Sequence, residues 1–215
     1  MLAVFIPPTA ASLARGLNIS LAGGLRKAAF DVVSALSTTG YSTMSYDRWP
    51  HFAVGVLILM MVIGGGIGST AGGIKLTRVY LMLRLCAIEI KKKLSPGSNV
   101  ELPQYVKASG KTPIDHELAD DTTGFVMTYL VIYVAGSLAM TVTADCTLME
   151  AMFDFASSLG TVGLSIGITG PTTNDATLIV EMIGMLLGCL EIFIVVVGFT
   201  FGFTRLKELF RKKCR

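Results

Sequence analysis

Sixteen residues from Ala28, AAFDVVSALSTTGYST, align without a gap on the sixteen from Ala151, AMFDFASSLGTVGLSI. Eight positions are identical at a constant offset of 123: Ala28/Ala151, Phe30/Phe153, Asp31/Asp154, Ser34/Ser157, Leu36/Leu159, Thr38/Thr161, Gly40/Gly163 and Ser42/Ser165. The chain is a tandem duplication, so one supersecondary unit has to serve twice and each motif has to be read inside that unit.

The apolar positions Phe30, Val33 and Leu36 suit a short helix over Ala28 to Ser37, too short to cross a bilayer. In the second copy Thr147-Leu-Met-Glu150 has capping-box spacing and places a helix start near Thr147. Asp31 and Asp154 are then expected in the first turn of each short helix, where the dipole stabilises a carboxylate.

What surrounds these helices is apolar. The 215 residues are 52% hydrophobic and 15% charged, against about 25% charged in soluble domains. Gly124 to Ala144 contains no charge, and roughly 20 such residues span the hydrocarbon core. A second span runs from Ala176 to Thr204, interrupted only by Glu181 and Glu191, and a third begins at Phe52. The expected fold class is an all-α membrane protein. Basic residues cluster in Lys75 to Lys93 and Arg205 to Arg215, which by the positive-inside tendency makes both segments cytoplasmic and puts the STTGYST and GTVGLSI stretches outside. The net charge of +3 flanks apolar spans and therefore gives orientation rather than nucleic-acid binding. Cys86, Cys146, Cys189 and Cys214 form no CxxC pair, and no metal site is implied. His51 and His116 are isolated and receive no role. Met1 to Ala14 lacks a basic n-region and contains Pro7-Pro8, so no cleavable signal peptide is expected there. It reads as the tail of a membrane helix broken by Pro7 and Pro8, so the first repeat is expected to be truncated at its N-terminus.

Each short helix ends at Thr-x-Gly, with the negative end of its dipole aimed beyond. Non-helical backbone at membrane depth survives only where protein encloses it or it lines a watery cavity. Glycine lets carbonyls turn inward, threonine adds a hydroxyl, and a ring of carbonyls replaces the water shell of a monovalent cation. Between the copies, the apolar run Phe52 to Ile63 enters GGGIGSTAGG, six glycines in the ten residues Gly64 to Gly73. Such a run cannot hold a stiff helix, so a broken inner helix with an intramembrane gate loop is expected. Gly66-Ile-Gly68-Ser-Thr-Ala71 also fits a dinucleotide fingerprint, but no βαβ pattern surrounds it. Residues 91–121 form a polar cytoplasmic connector whose Lys91 to Lys93 suit lipid headgroups. Glu191 lies deep in the last span and marks a water path or a paired partner, with Lys75 as candidate; Glu181 sits nearer the outer end and is less telling. An offset of 124 sets Gly188 and Cys189 opposite Gly64 and Gly65.

AFDVVSALSTTGYST followed by WP and IGGGIGSTAGGIKLTRV, and MFDFASSLGTVGLSIGITGP through MLLGCLEIF, resemble the third and fourth repeats of pore subunits in the Trk/Ktr/HKT superfamily of potassium transporters. That resemblance, from about residue 20 to 210, implies tandem potassium-channel-like helix–pore loop–helix repeats over 1–90 and 122–215. It implies a filter at Thr38, Thr39, Gly40 and Tyr41 and at Thr161, Val162, Gly163 and Leu164, with K+ at their carbonyls and no other cofactor. It implies a gate of Gly64, Gly65, Gly66, Gly68, Ser69, Thr70, Gly72, Gly73, Lys75, Cys189 and Glu191. Glycine at both filter positions accompanies potassium selectivity in the family, whereas serine in one repeat accompanies sodium preference in some relatives. The family's final helix typically carries GRLE where this chain has Gly188-Cys189-Leu190-Glu191, which implies a leakier or differently gated pore.

The expected activity is potassium uptake across the cytoplasmic (inner) membrane, with no enzymatic chemistry. Two loops cannot encircle an ion, so the expected partners are membrane lipid and either a missing N-terminal half or a second copy in a homo-oligomer. A cytoplasmic nucleotide-binding regulatory subunit of the RCK type is the further partner implied. The alternatives are a truncated, non-transporting remnant and a membrane-anchored nucleotide-binding protein.

Overall fold

The computed structural model describes residues 1–66, 68–69, 71–94, 104–107, 110–113, 116–189, 198 and 201. In chain order they form α1 (Leu2–Gly16), α2 (Leu21–Leu36), α3 (His51–Ile63), α4 (Leu76–Leu94), a hairpin of β1 (Gln104–Lys107) and β2 (Gly110–Pro113), α5 (His116–Ala144), α6 (Leu148–Leu159) and α7 (Asp175–Cys189). The fold is helical, and the antiparallel hairpin, with Gln104 opposite Pro113, lies within the polar connector.

Three local expectations change. α1 runs unbroken through Pro7 and Pro8. Each proline removes one backbone donor, and in the same turn the buried Thr9 hydroxyl donates to the Phe5 carbonyl at 2.7 Å. α2 starts at Leu21 rather than near Ala28, because Ser20 is its N-cap and accepts from the Gly23 N–H at 3.2 Å. Asp31 therefore stands in the third turn of α2 and Asp154 in the second of α6, beyond the reach of the helix-start dipole. The start of α6 is as read: Glu150 Oε2 accepts from the Thr147 N–H at 2.9 Å and from its hydroxyl at 2.7 Å.

Among the described residues α5 is the helix long and apolar enough to cross a membrane, over Glu117–Ala144. It is apolar on both sides. Phe125, Tyr129, Tyr133 and Met140 point into the core, while Met127, Val131, Val134, Leu138 and Val142 form an outward stripe at helical spacing. A helix hydrophobic all round belongs in a core or a bilayer. α3 is shorter, apolar throughout and mostly buried.

α6 is the hub. It packs on α3, α5 and α7, and every residue from Phe153 to Gly160 is buried. Its Phe155 fills the space left by a missing side chain on α5: a Cβ at Gly136 would lie 1.9 Å from Phe155 Cζ. Among the described residues α2 packs mainly on α1 and α3. The two copies of the motif therefore share a local structure but not an environment.

Candidate filter loops and the glycine loop beneath them

The loop after α2 and the loop after α6 adopt one conformation. Thr38 and Thr161 both have φ +53°, and Gly40 and Gly163 have φ +78° and +91°. Left-handed backbone costs a residue with a Cβ roughly 1–2 kcal/mol, so both loops hold a threonine in a strained state at the same step. The bonds that set it recur at the 123 offset. Thr39 N–H donates to Ser34 O at 3.0 Å, as Val162 N–H does to Ser157 O at 2.8 Å.

The two aspartates explain why each loop turns back. Asp31 Oδ1 accepts the Thr43 N–H at 3.0 Å and the Tyr46 hydroxyl at 3.0 Å, and Oδ2 accepts the Thr43 hydroxyl at 2.5 Å. Asp154 Oδ1 accepts the Ile166 N–H at 2.8 Å and Oδ2 the Ser165 hydroxyl at 2.9 Å, with the Thr169 hydroxyl 3.3 Å away. Thr43/Ile166 and Tyr46/Thr169 are again pairs at 123. Both carboxylates are buried, and a buried carboxylate persists only when its oxygens are this fully bonded.

Thr169 also donates to Glu181 Oε1 at 2.6 Å. Glu181 is 3% exposed and joins the Asp154 network from α7, a role its sequence position near the outer end of the span does not reveal. The signal is there in retrospect: an acid on an apolar helix, with a hydroxyl at the repeat partner of Tyr46.

The loops touch. A Cβ on Gly40 would stand 2.2 Å from the Val162 carbonyl oxygen, so glycine is required there by space as well as by backbone angle. Tyr41 is 69% exposed, with its carbonyl accepting from the Ser34 hydroxyl at 2.7 Å. Thr39 and Gly163 are exposed, whereas Val162 and Leu164 are buried.

Residues 64–66 leave α3, and residues 71–75 come back beside it. Ile74 N–H donates to Val62 O at 3.0 Å, Lys75 N–H to Ile63 O at 2.8 Å and Leu76 N–H to Gly65 O at 3.1 Å. The root of this loop is glycine against glycine: at Gly64, φ +70°, a Cβ would meet Gly72 O at 2.2 Å. Its returning arm reaches the loop after α6, where Gly72 N–H donates to Thr161 Oγ1 at 3.2 Å. Gly64, Gly65, Gly72 and Gly73 are buried, Gly66 is half-buried, and Gly68 and Ser69 at the tip are exposed. Lys75 holds φ +75° at the exit. The loop follows a helix and not a strand, unlike a dinucleotide turn. A cavity of about 110 Å³ lies beside it, lined by Ser69, Gly72, Lys75, Arg78, Tyr129 and Cys189 among others. Cys189 is thus brought to the glycine loop. Thr70 and Glu191 lie outside the described residues.

The chain resembles known proteins over most of its length. The sequence profile of a family described as TrkH, cation transport protein, matches residues 16–203. The Trk system potassium uptake protein TrkH of Halomonas elongata is 29% identical over 192 residues, covering 85% of this chain and 37% of that protein. The protein of that name from Escherichia coli is 28% identical over 184 residues, covering 84% and 37%. An uncharacterized cation transporter of Methanocaldococcus jannaschii is 28% identical, covering 85% and 38%. Among solved structures, the potassium transporter TrkH from Vibrio parahaemolyticus superposes with a TM-score of 0.75 at 26% identity, over 91% of this chain and 42% of that one. The chain thus spans well under half the length of these relatives, which are transporters rather than enzymes. With the family profile matched across residues 16–203 and a TrkH-like arrangement of helices around two Asp-braced loops, this chain belongs to the TrkH family of cation transport proteins.

Proposed function

We infer that the chain contributes two filter loops to a potassium-conducting membrane pore. The observation that carries this reading is the apposition of two loops with the same left-handed Thr and Gly, held from behind by buried aspartates. Thr38, Thr39, Gly40 and Tyr41, with Thr161, Val162, Gly163 and Leu164, are the filter residues in this reading. Backbone carbonyls replace the hydration shell of K+, and rigid support from Asp31 and Asp154 keeps them at the spacing that favours it.

Residues 1–90 and 122–215 act as two pore repeats joined by the 91–121 connector. The glycine loop is the gate: its root is fixed on α3, its tip is exposed, and one hydrogen bond from Gly72 to Thr161 ties it under the filter. Lys75, with Cys189 at the position of the usual arginine, sets the charge beside it. The pore sits in the cytoplasmic membrane with the filter loops outside and the connector and C-terminus inside, where a soluble nucleotide-binding regulator docks on the basic face.

The test is potassium uptake in cells lacking their own uptake systems, with the chain expressed alone and together with the first two repeats of a TrkH relative. Growth at low potassium that is lost in Gly163→Asp supports the reading. No uptake in either configuration, with the protein present in the membrane, overturns it.

A further inference from the structure

The loop after α6 is tied to α7 by a pair of acids that the first copy of the motif lacks. Thr169 is the repeat partner of Tyr46, and its hydroxyl stands 2.6 Å from Glu181 Oε1 and 3.3 Å from Asp154 Oδ2. At the 124 offset of the inner helices Glu181 corresponds to Leu57, which is fully buried. In the first copy the brace therefore stops at Tyr46, whose hydroxyl donates to Asp31 at 3.0 Å and whose ring packs against Trp49 and Phe153. In the second a shorter hydroxyl replaces the phenol, and an acid from α7 completes the reach.

Asp154 and Glu181 are 2% and 3% exposed, and among the described residues no Lys, Arg or His forms an ion pair with either. α7 packs on α5 and α6, whose other titratable groups are engaged elsewhere. Tyr133 donates to the Met152 carbonyl at 3.0 Å, Tyr129 lines the cavity beside the glycine loop, Glu150 closes the cap of α6, and the Cys146 thiol before it donates to the Met140 carbonyl. Glu117, Asp120 and Asp121 are exposed in the first two turns of α5. Two buried carboxylates sharing one site, with no cation beside them, strongly disfavour double ionisation. Thr169 has one hydroxyl hydrogen for two carboxyl oxygens, so with both acids ionised the longer contact is left oxygen against oxygen. One proton held between the acids supplies the missing hydrogen, while Asp154 keeps the Ile166 N–H and the Ser165 hydroxyl.

The consequence runs along α7. Glu181, Gly184 and Gly188 share one face at helical spacing, and that face lies on α6: a Cβ at Gly184 would stand 3.0 Å from Phe155 Cε2, and one at Gly188 1.9 Å from the Leu159 carbonyl oxygen. The acid thus fixes one end of a close-packed seam whose other end adjoins Cys189 and the glycine-loop cavity.

We propose that Glu181 is a positioning residue for the loop after α6, sharing one proton with Asp154 across Thr169 and so tying that loop to α7. The proposal rests on the pore reading above, and two of its three readouts do not use transport. The full chain is placed in lipid vesicles as the parent, Glu181→Gln and Glu181→Ala. Glutamine keeps a neutral side chain with a hydrogen to give, whereas alanine removes the tie. Infrared spectra at neutral pH are expected to show a protonated-carboxyl C=O band in the parent that is lost in Glu181→Gln. Exchange of the Ile166 amide is expected to be at least about ten-fold faster in Glu181→Ala and close to the parent's in Glu181→Gln, with the Thr43 amide of the first copy unchanged. In the pore assembled with the upstream repeats of a TrkH relative, the ratio of rubidium to sodium flux should fall several-fold as rising pH removes the shared proton, and should stay level in Glu181→Gln. Identical carboxyl bands in the parent and Glu181→Gln overturn the proposal, as does Ile166 exchange that Glu181→Ala leaves unmoved, or a rubidium preference in the parent that ignores pH. If Glu181→Ala does not fold, the glutamine spectrum and pH profile decide. The lost band and the exchange pattern, without any rubidium preference in the parent, overturn the pore reading and leave the shared proton standing.

Discussion

Asp31 accepts the Thr43 N–H, the Thr43 hydroxyl and the Tyr46 hydroxyl, while Asp154 accepts from Ile166 and Ser165 in the second copy. Hydrogen bonds to a charged acceptor contribute about 1.5–3 kcal/mol each, and a buried donor left without one costs about 1–3 kcal/mol. Asp31→Ala and Asp154→Ala are each expected to lower stability by at least about 2 kcal/mol, with faster amide exchange at Thr43 and at Ile166 respectively. Unchanged exchange at those two amides would remove the bracing role. The glycines of the two candidate filter loops differ in what they oppose. Gly163 has open space around its missing side chain and Gly40 has the Val162 carbonyl at 2.2 Å. Gly163→Ala should cost about 1–2 kcal/mol for left-handed backbone, and Gly40→Ala that amount plus about 1–3 kcal/mol for displacing the neighbouring loop. Thermal melts of the two variants decide it, and equal losses would mean the loops are not apposed.

Among the elements, α6 combines a capped start, an aspartate in its second turn and a filter loop at its end. Hydrogen bonds from Thr147 hold the Glu150 carboxyl below its ordinary 4.5. A depressed carboxylate stabilises the fold above its unfolded pKa and loses that contribution as pH falls through the folded value. The destabilisation caused by Glu150→Ala should be full at neutral pH and should shrink as pH falls below the ordinary carboxylate range; a gap in melting temperature that does not narrow on acidification would contradict the cap. Elements of this kind were legible in the sequence because their signals are local: the Thr-x-x-Glu spacing, the uncharged run Gly124 to Ala144, the glycine run after Ile63. The start of α2 was not, since the Ser20 cap lies eight residues ahead of the repeated stretch. Nor was the role of the aspartates, whose partners stand 11–15 residues away across a turn. Helix position alone suggested a dipole contact. The loop geometry that recruits the carboxylates appears only once the chain has turned back.

For the whole molecule, the duplication predicted one unit used twice, and the local bonds repeat at the same offset down to Tyr46 and Thr169. What duplication does not dictate is environment. α6 is enclosed by α3, α5 and α7, while Phe30 and Val33 leave an apolar face of α2 exposed. The charge beside the glycine loop is likewise a property of the assembled site, where Lys75, Arg78 and Cys189 line one cavity. Restoring a cation there with Cys189→Arg is expected to reduce cation flux by raising the electrostatic barrier below the filter, read as a lower initial rate of rubidium uptake into vesicles; an unchanged rate and unchanged gating would mean that position 189 does not face the ion path. The central claim is that Gly163 and Gly40 belong to a potassium filter. The measurement that reaches it most directly is the ratio of rubidium to sodium flux in proteoliposomes holding the assembled pore, for the parent and for Gly163→Ser, a position where an added Cβ meets no atom of this chain within 4 Å. The account predicts a marked preference for rubidium in the parent and a several-fold loss of that preference in the variant with flux retained. Equal ratios in two folded proteins would contradict it.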